Sequence, residues 1–140
     1  MTATFAQIPF TGGTYSSSAQ VLPVTTSLAI SSNMGAPGPH SIAVATAGYY
    51  RLVANLQISG TVGSQAIFWF NQLLNGNSNI VNQYQLDILG NMVVSFETVV
   101  YCSSGTHLSL YITVSTGGSV ILDSAFSAYS PSALFAYLID

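Results

Sequence analysis

The chain has 140 residues, 49% hydrophobic and 4% charged, with one basic side chain besides two His and a formal net charge of −3. One domain of that length can bury a real core, and a chain this aromatic with so few charges is the opposite of a disordered one. A single Arg cannot neutralise a row of phosphates, which excludes a nucleic-acid partner, and no apolar run approaches the ~20 residues of a membrane helix, so no membrane insertion is expected.

Residues 5–10 form a short apolar segment with Pro9 near its end, broken by Gly12 and Gly13. The N-terminus shows neither a basic region nor an apolar core, so no signal peptide is read there. Three routes then fit a surface protein: export by another path, carriage on a particle assembled in the cytoplasm, or excision from a longer chain. Residues 21–30 hold one or two short strands around Pro23, and residues 33–39 are a loop rich in Gly and Pro.

Residues 48–60 are the central strand. Tyr50, Leu52, Ala54, Leu56 and Ile58 alternate with Tyr49, Arg51, Val53, Asn55, Gln57 and Ser59. A period of two sends the first set to one face and the second to the other. Residues 66–74 make a strand that is apolar on both faces, which predicts cover on both sides. Asn75-Gly76 is a hairpin turn signal, and residues 80–84 read as the return strand. Residues 86–89 read as irregular.

Residues 92–102 alternate again, with Val94, Phe96, Thr98 and Val100 on one side. Residues 107–115 alternate most cleanly, with Leu108, Leu110, Ile112 and Val114 inward. Residues 120–122 and 133–139 complete the set. Short strands between Gly, Pro and Asn turns, with no helical period, predict an all-β sandwich or barrel in one domain, 1–140.

The order of these pieces resembles the C1q-like and tumour-necrosis-factor-like jelly roll. Gly48, Tyr50 and Leu52 stand where that family opens its central strand, and Leu73-Leu74-Asn75-Gly76 where an apolar strand meets an Asn-Gly turn. Gly105-Thr106 precedes the strand at 107–115, and Ser132 to Ile139 stand where the family closes. Leu134, Phe135 and Ala136 depart from the Phe, Ser and Gly usual there. The resemblance implies a two-sheet jelly-roll sandwich of about ten strands and a compact homotrimer, with residues 1–20 packing at its base. The charge-poor composition is similar in style to bacterial and phage members, which tip filaments on spore surfaces or form knobs of virion spikes. The aspartates that bind calcium in some animal members have no counterpart here, so no metal site is carried over.

Physics points the same way. Exposed edge strands are normally defended by lysines or other charges, and this chain has almost none. Its surplus apolar faces can be covered by identical copies in a closed ring. Tyr50, Leu52, Trp69, Phe70, Tyr101, Tyr111, Phe135 and Tyr137 are the candidates for core or trimer seam. Trp69, Tyr49, Tyr101 and Tyr111 are alternatively an aromatic surface for a glycan or receptor. Arg51 and Glu97 are candidates for an ion pair within or between subunits; the alternatives for Arg51 are backbone carbonyls or water.

Asn33, His40, Asn75, Asn77 and Asn91 mark the loops that would touch a ligand. His40 and His107 lack any motif that supplies a nucleophile or acid, and Asp87, Glu97 and Asp123 sit on three separate segments. No catalysis, cofactor or metal is therefore expected. Cys102, alone, can form no internal disulfide and reads as a small hydrophobe on a strand. The expected protein is a non-enzymatic trimeric knob of a surface fibre, spike or filament. Its expected partners are copies of itself and a cell-surface receptor or glycan, on the outside of a cell, spore or virion. The alternative is a structural trimerisation or decoration module without a ligand.

Overall fold

The computed structural model describes residues 4–16, 20–22, 34, 41–123, 125–127 and 130–139. In chain order the strands are β1 (Phe5–Pro9), β2 (Gly13–Tyr15), β3 (Gln20–Val21), β4 (Ile42–Ala43), β5 (Gly48–Gly60), β6 (Gln65–Leu74), β7 (Asn77–Asp87), β8 (Met92–Cys102), β9 (His107–Val114), β10 (Val120–Asp123), β11 (Ala125–Ser127), β12 (Ser130–Pro131) and β13 (Ala133–Leu138). No helix occurs among the described residues. The count exceeds ten because β3, β4 and β12 are two-residue pieces.

Length puts β5 at the centre. Its 13 residues extend about 43 Å at ~3.3 Å per residue, more than one short neighbour can cover. One edge pairs throughout with β8, from Gly48↔Cys102 to Ile58↔Met92. The other edge is shared, with β13 along residues 50–55 and β10 along residues 57–60. Outside these lie β1 and β2, so residues 5–15 belong to the large sheet itself. In the second sheet β9 pairs with β6 on one edge and with β3 and β4 on the other. Beyond β6 lies β7, and β11 pairs with β12 as a small separate hairpin. Every pairing is antiparallel. The chain changes between the two large sheets from β2 to β3, β4 to β5, β5 to β6, β7 to β8, β8 to β9 and β9 to β10.

The core lies between the sheets, and the period of two delivers it. Tyr50, Leu52, Ala54, Leu56 and Ile58 of β5 are fully buried, as are Phe68 and Phe70 of β6 and Leu108, Leu110 and Ile112 of β9. Tyr50 buries its ring and keeps its hydroxyl satisfied by donating to the Thr46 carbonyl at 2.6 Å. Asn75 and Gly76 carry φ of 51° and 81° in a two-residue turn between β6 and β7. Both angles are left-handed, which is what the Asn-Gly pair tolerates best.

Two expectations change. The return strand runs over Asn77–Asp87 rather than 80–84, so residues 86–87 are in the ladder. A bulge hid this: Trp69 faces Gln83 and Phe70 faces Val81, leaving Asn82 unpaired at φ 51°. The extra residue breaks the alternation in mid-strand. The second change concerns β6, whose outer face is only half covered within one chain. Ile67 and Trp69 are half-buried, and Leu73 is exposed.

The bulge also joins the two sheets. The Asn82 side-chain amide donates to Thr98 Oγ1 of β8, and Tyr84 Oη donates to the Glu97 carbonyl at 2.5 Å. The rings of Phe68, Phe96 and Tyr84 follow one another at 4.9 and 4.8 Å across the same corner. Residues 23–33 and 35–40, with Asn33 and His40, lie outside the described residues.

Candidate functional site on the outer face of the large sheet

The side chains of β5 and β8 that point away from the core build this face. At two rungs of the register the residues directly opposite pair by kind. Tyr49 faces Tyr101, with ring centroids 5.3 Å apart and edge to face. Asn55 faces Ser95, whose hydroxyl donates to Asn55 Oδ1 at 2.7 Å. Between these rungs Arg51 reaches diagonally to Glu97. Arg51 Nε donates to Oε1 at 2.8 Å and Nη2 to Oε2 at 2.9 Å, a two-bonded pair within one chain. Seven large hydrophobics stand exposed around these groups: Tyr49, Val93, Val99, Tyr101, Ile121, Tyr137 and Ile139. Phe135 and Tyr137 lie beside one another on β13. A hollow of about 330 Å³ runs between β5 and β13, lined by Arg51, Val53, Asn55, Phe135, Tyr137 and Ile139.

The other sheet leaves Leu73 and Ile80 as exposed large hydrophobics. Exposed apolar residues gathered on one face are a general feature of contact surfaces. The Arg51–Glu97 pair on the first face is internally neutralised, although both ions must lose water when covered, and the exposed Asp123 of β10, opposite Gln57 in the register, stands on the same face.

The pair is titratable. The hydrogen bond from Arg51 holds the Glu97 carboxyl below its ordinary value of 4.5. A carboxylate whose pKa folding lowers stabilises the fold above its unfolded value and loses that contribution as pH falls through the folded one. Thermal midpoints should therefore drop on acidification below about 4.5, by a small amount because both groups are half-exposed. In Arg51→Met the drop should shrink. An equal acid loss in both proteins would dismiss the pair as its source.

The sequence candidates divide among three places. Tyr50, Leu52 and Phe70 are buried core; Tyr101, Phe135 and Tyr137 belong to the large sheet's outer face. Trp69 and Tyr111, directly opposite in the β6–β9 register, stack at 5.5 Å on the other sheet. The loops also separate. Asn75 and Asn77 sit at the β6–β7 hairpin, beside the β8–β9 turn. Asn91 sits at the opposite end, where loop 60–64 is tied to loop 115–119 by Thr61 N to Ser119 O at 3.0 Å and to the β7–β8 connection by Ile88 N to Ser64 O at 2.8 Å. His107 Nδ1 lies 3.2 Å from Ser41 Oγ, and no hydrogen bond orients its other ring nitrogen among the described residues. Burial pushes the Cys102 thiol up to about 11, which keeps it neutral and unreactive. No cluster of three or more His, Cys, Asp or Glu suited to a metal occurs among the described residues.

No protein-family model matches the chain, and no curated protein matches it by sequence. Solved structures match it by shape. Murine APRIL at pH 5.0 superposes with a TM-score of 0.72 at 11% identity, covering 98% of this chain and 100% of that one. Murine APRIL at pH 8.5 gives 0.70 at 10%, covering 97% and 98%. Eiger TNF from S. frugiperda gives 0.69 at 9%, covering 99% and 93%. The two sheets, the crossings between them and these likenesses together give the chain the jelly-roll fold of the tumour-necrosis-factor-like domains.

Proposed function

We propose that the chain is a non-enzymatic head domain that assembles as a homotrimer through the outer face of its large sheet. It would end a surface fibre, spike or filament and attach it to a receptor or glycan on a cell. The carrying observation is the face itself, with seven exposed large hydrophobics, Tyr49, Val93, Val99, Tyr101, Ile121, Tyr137 and Ile139, around one internally neutralised ion pair. Burying such a face between copies removes apolar area from water at about 25 cal/mol per Å². The likeness to TNF-like structures supports a three-fold rather than an open arrangement, and a closed ring leaves no free copy of the sticky face. The near absence of charge elsewhere suits a particle surface. A decoration module without a ligand is the second reading, favoured by the separation of the candidate loops to opposite ends.

Light scattering or sedimentation tests the assembly. The expected mass is three times the 14.7 kDa of one chain. A stable single chain at micromolar concentration would overturn the proposal.

A further inference from the structure

The assembly proposed above covers the large sheet and leaves the outer face of the second sheet open. One rung of that face crosses all four strands. Val21 of β3, Tyr111 of β9, Trp69 of β6 and Gln83 of β7 stand opposite one another in turn. Tyr111 and Trp69 stack at its middle, centroids 5.5 Å apart and planes 17° from parallel. Tyr111 lies on the β9 side, so the far face of Trp69 is turned toward β7, where Gln83 stands exposed. The Trp69 indole N–H and the Tyr111 hydroxyl have no hydrogen-bond partner among the described residues, and both atoms are open to solvent. Thr106 Oγ1, by contrast, is shut away without a partner among the described residues, where no ligand reaches it.

The next rung, about 7 Å along the strands at ~3.3 Å per residue, sets Thr113, Ile67 and Gln85 opposite one another. Beside Ile67 and Thr113 a hollow of about 250 Å³ runs on to Gln65, Ser115 and Thr116. Its volume lies below the roughly 300–1,000 Å³ of drug-sized sites, which limits it to one ring. The amides here are held in place. Gln85 Nε2 donates to Gln65 Oε1 at 3.0 Å, and Gln65 Nε2 to Asp87 Oδ1 at 3.2 Å. That relay fixes which end of each amide is oxygen. It leaves Gln85 Oε1 and the whole Gln83 amide without a partner among the described residues.

An aromatic face edged by amide donors and acceptors suits a ligand that is apolar on one side and rimmed with hydroxyls. A neutral sugar ring has that form: its C–H groups lie on the aromatic face and its hydroxyls meet the amides. A protein partner fits less well. A stable seam takes about 800 Å² from each side, whereas the apolar part here is two half-buried rings, Val21 and Ile67. The exposed Leu73 and Ile80 stand on the hairpin side of the rung, away from the hollow. Anions fit worst, because the chain's one Arg is bound to Glu97 on the other sheet and the charge at this end is Asp87.

We propose that this face binds two adjoining rings of a neutral glycan, one stacked on Trp69 with its hydroxyls on Gln83, the next in the hollow within reach of Gln85. This rests on the attachment reading above and names its site and ligand class. A trimer carries the site three times, so weak single contacts add up to firm attachment.

The test is a titration of the full chain with cellobiose, lactose, maltose, mannobiose and N,N′-diacetylchitobiose, with digalacturonate as the anionic comparison. Trp69 is the chain's one Trp, so its fluorescence reports on the site directly. At least one neutral disaccharide should shift that emission, half-saturating in the millimolar range (about 0.1–10 mM). Digalacturonate should bind at least about tenfold more weakly for lack of a cation. Gln83→Ala, at an exposed position, should weaken binding about fivefold and leave the thermal midpoint unchanged. Tyr111→Leu, which removes the ring that steadies Trp69, should weaken it about tenfold. Asn77→Ala, at the hairpin, should bind as the parent chain does. No response to any neutral disaccharide overturns the proposal. So does undiminished binding in both Gln83→Ala and Tyr111→Leu, or equal binding of digalacturonate. Adsorption to cells that survives enzymatic removal of their glycans, yet is lost in those two variants, overturns it in favour of a protein partner. The attachment reading is judged apart: adsorption that persists while no sugar binds sinks this site alone, and sugar binding by a chain that adsorbs to no cell sinks the attachment alone.

Discussion

Val99→Glu should turn a three-chain particle into single folded chains. Val99 stands opposite Arg51 in the β5–β8 register and is 53% exposed in the lone chain. Nothing inside the protomer depends on it, so the far-ultraviolet circular dichroism should not change. At a seam between copies the new carboxylate would be buried beside Glu97, whose counter-charge is already taken. Burying an unpaired carboxylate costs several kcal/mol, roughly 10²–10³-fold in association. Light scattering reads the outcome. The control is Ile80→Glu, 58% exposed on β7 of the other sheet, which should leave the mass unchanged. If Ile80→Glu dissociates the particle and Val99→Glu does not, the seam lies on the wrong sheet in our account.

Phe68→Ala should come close to unfolding the domain. Phe68 is fully buried, 4.9 Å from the Phe96 ring, which in turn lies 4.8 Å from Tyr84. This row of rings crosses the corner where β7 and β8 belong to different sheets and share no backbone ladder. Its first member is therefore part of what joins the sheets. A buried Phe truncated to Ala costs about 3–5 kcal/mol, against about 5–15 kcal/mol for a whole domain. With a urea slope of about 1–3 kcal/mol per M, the midpoint should fall by roughly 2 M. Phe68→Leu keeps most of the volume and should cost less than about 1.5 kcal/mol. Both must be read at one protein concentration, since assembly adds to apparent stability. Equal, small losses in the two variants would mean that the corner closes without the ring.

Local geometry explains which parts of this were legible beforehand. In β5 and β9 one face is buried along nearly the whole strand, and in β8 one face is at least half-buried throughout, so apolar residues recur at almost every second position. The Asn75-Gly76 turn was legible for a related reason: left-handed backbone at two successive residues admits few residue types. In β7 the same reading stopped short, because that strand is exposed along most of its length and bulges at Asn82. A polar strand with a broken period carries no signal that distinguishes it from a loop.

The candidate surface was harder to read than the strands. Alternation says that Arg51 and Tyr49 share a face, but not that Tyr101, Glu97 and Ser95 stand beside them; a register between strands 46 residues apart decides that. The scarcity of charge made Glu97 a natural partner for Arg51 without fixing their distance. Aromatic residues likewise announced a contact surface without saying that Trp69 and Tyr111 stack on one sheet while Tyr101 and Tyr137 lie on the other.

Composition and the period of two thus determined that this chain folds as an all-β sandwich or barrel, which face of its clearest strands turns inward, and that more apolar surface exists than one interior can hold. Those are properties of each strand taken singly, set by side-chain direction and solubility. The tertiary structure alone decided on which sheet the surplus collects, that the described candidate loops part to opposite ends, and that the Thr106 hydroxyl is shut away without a partner among the described residues. Each of these depends on which distant strands become neighbours, and that is settled by pairing and closure of the whole sandwich, where no local pattern reaches.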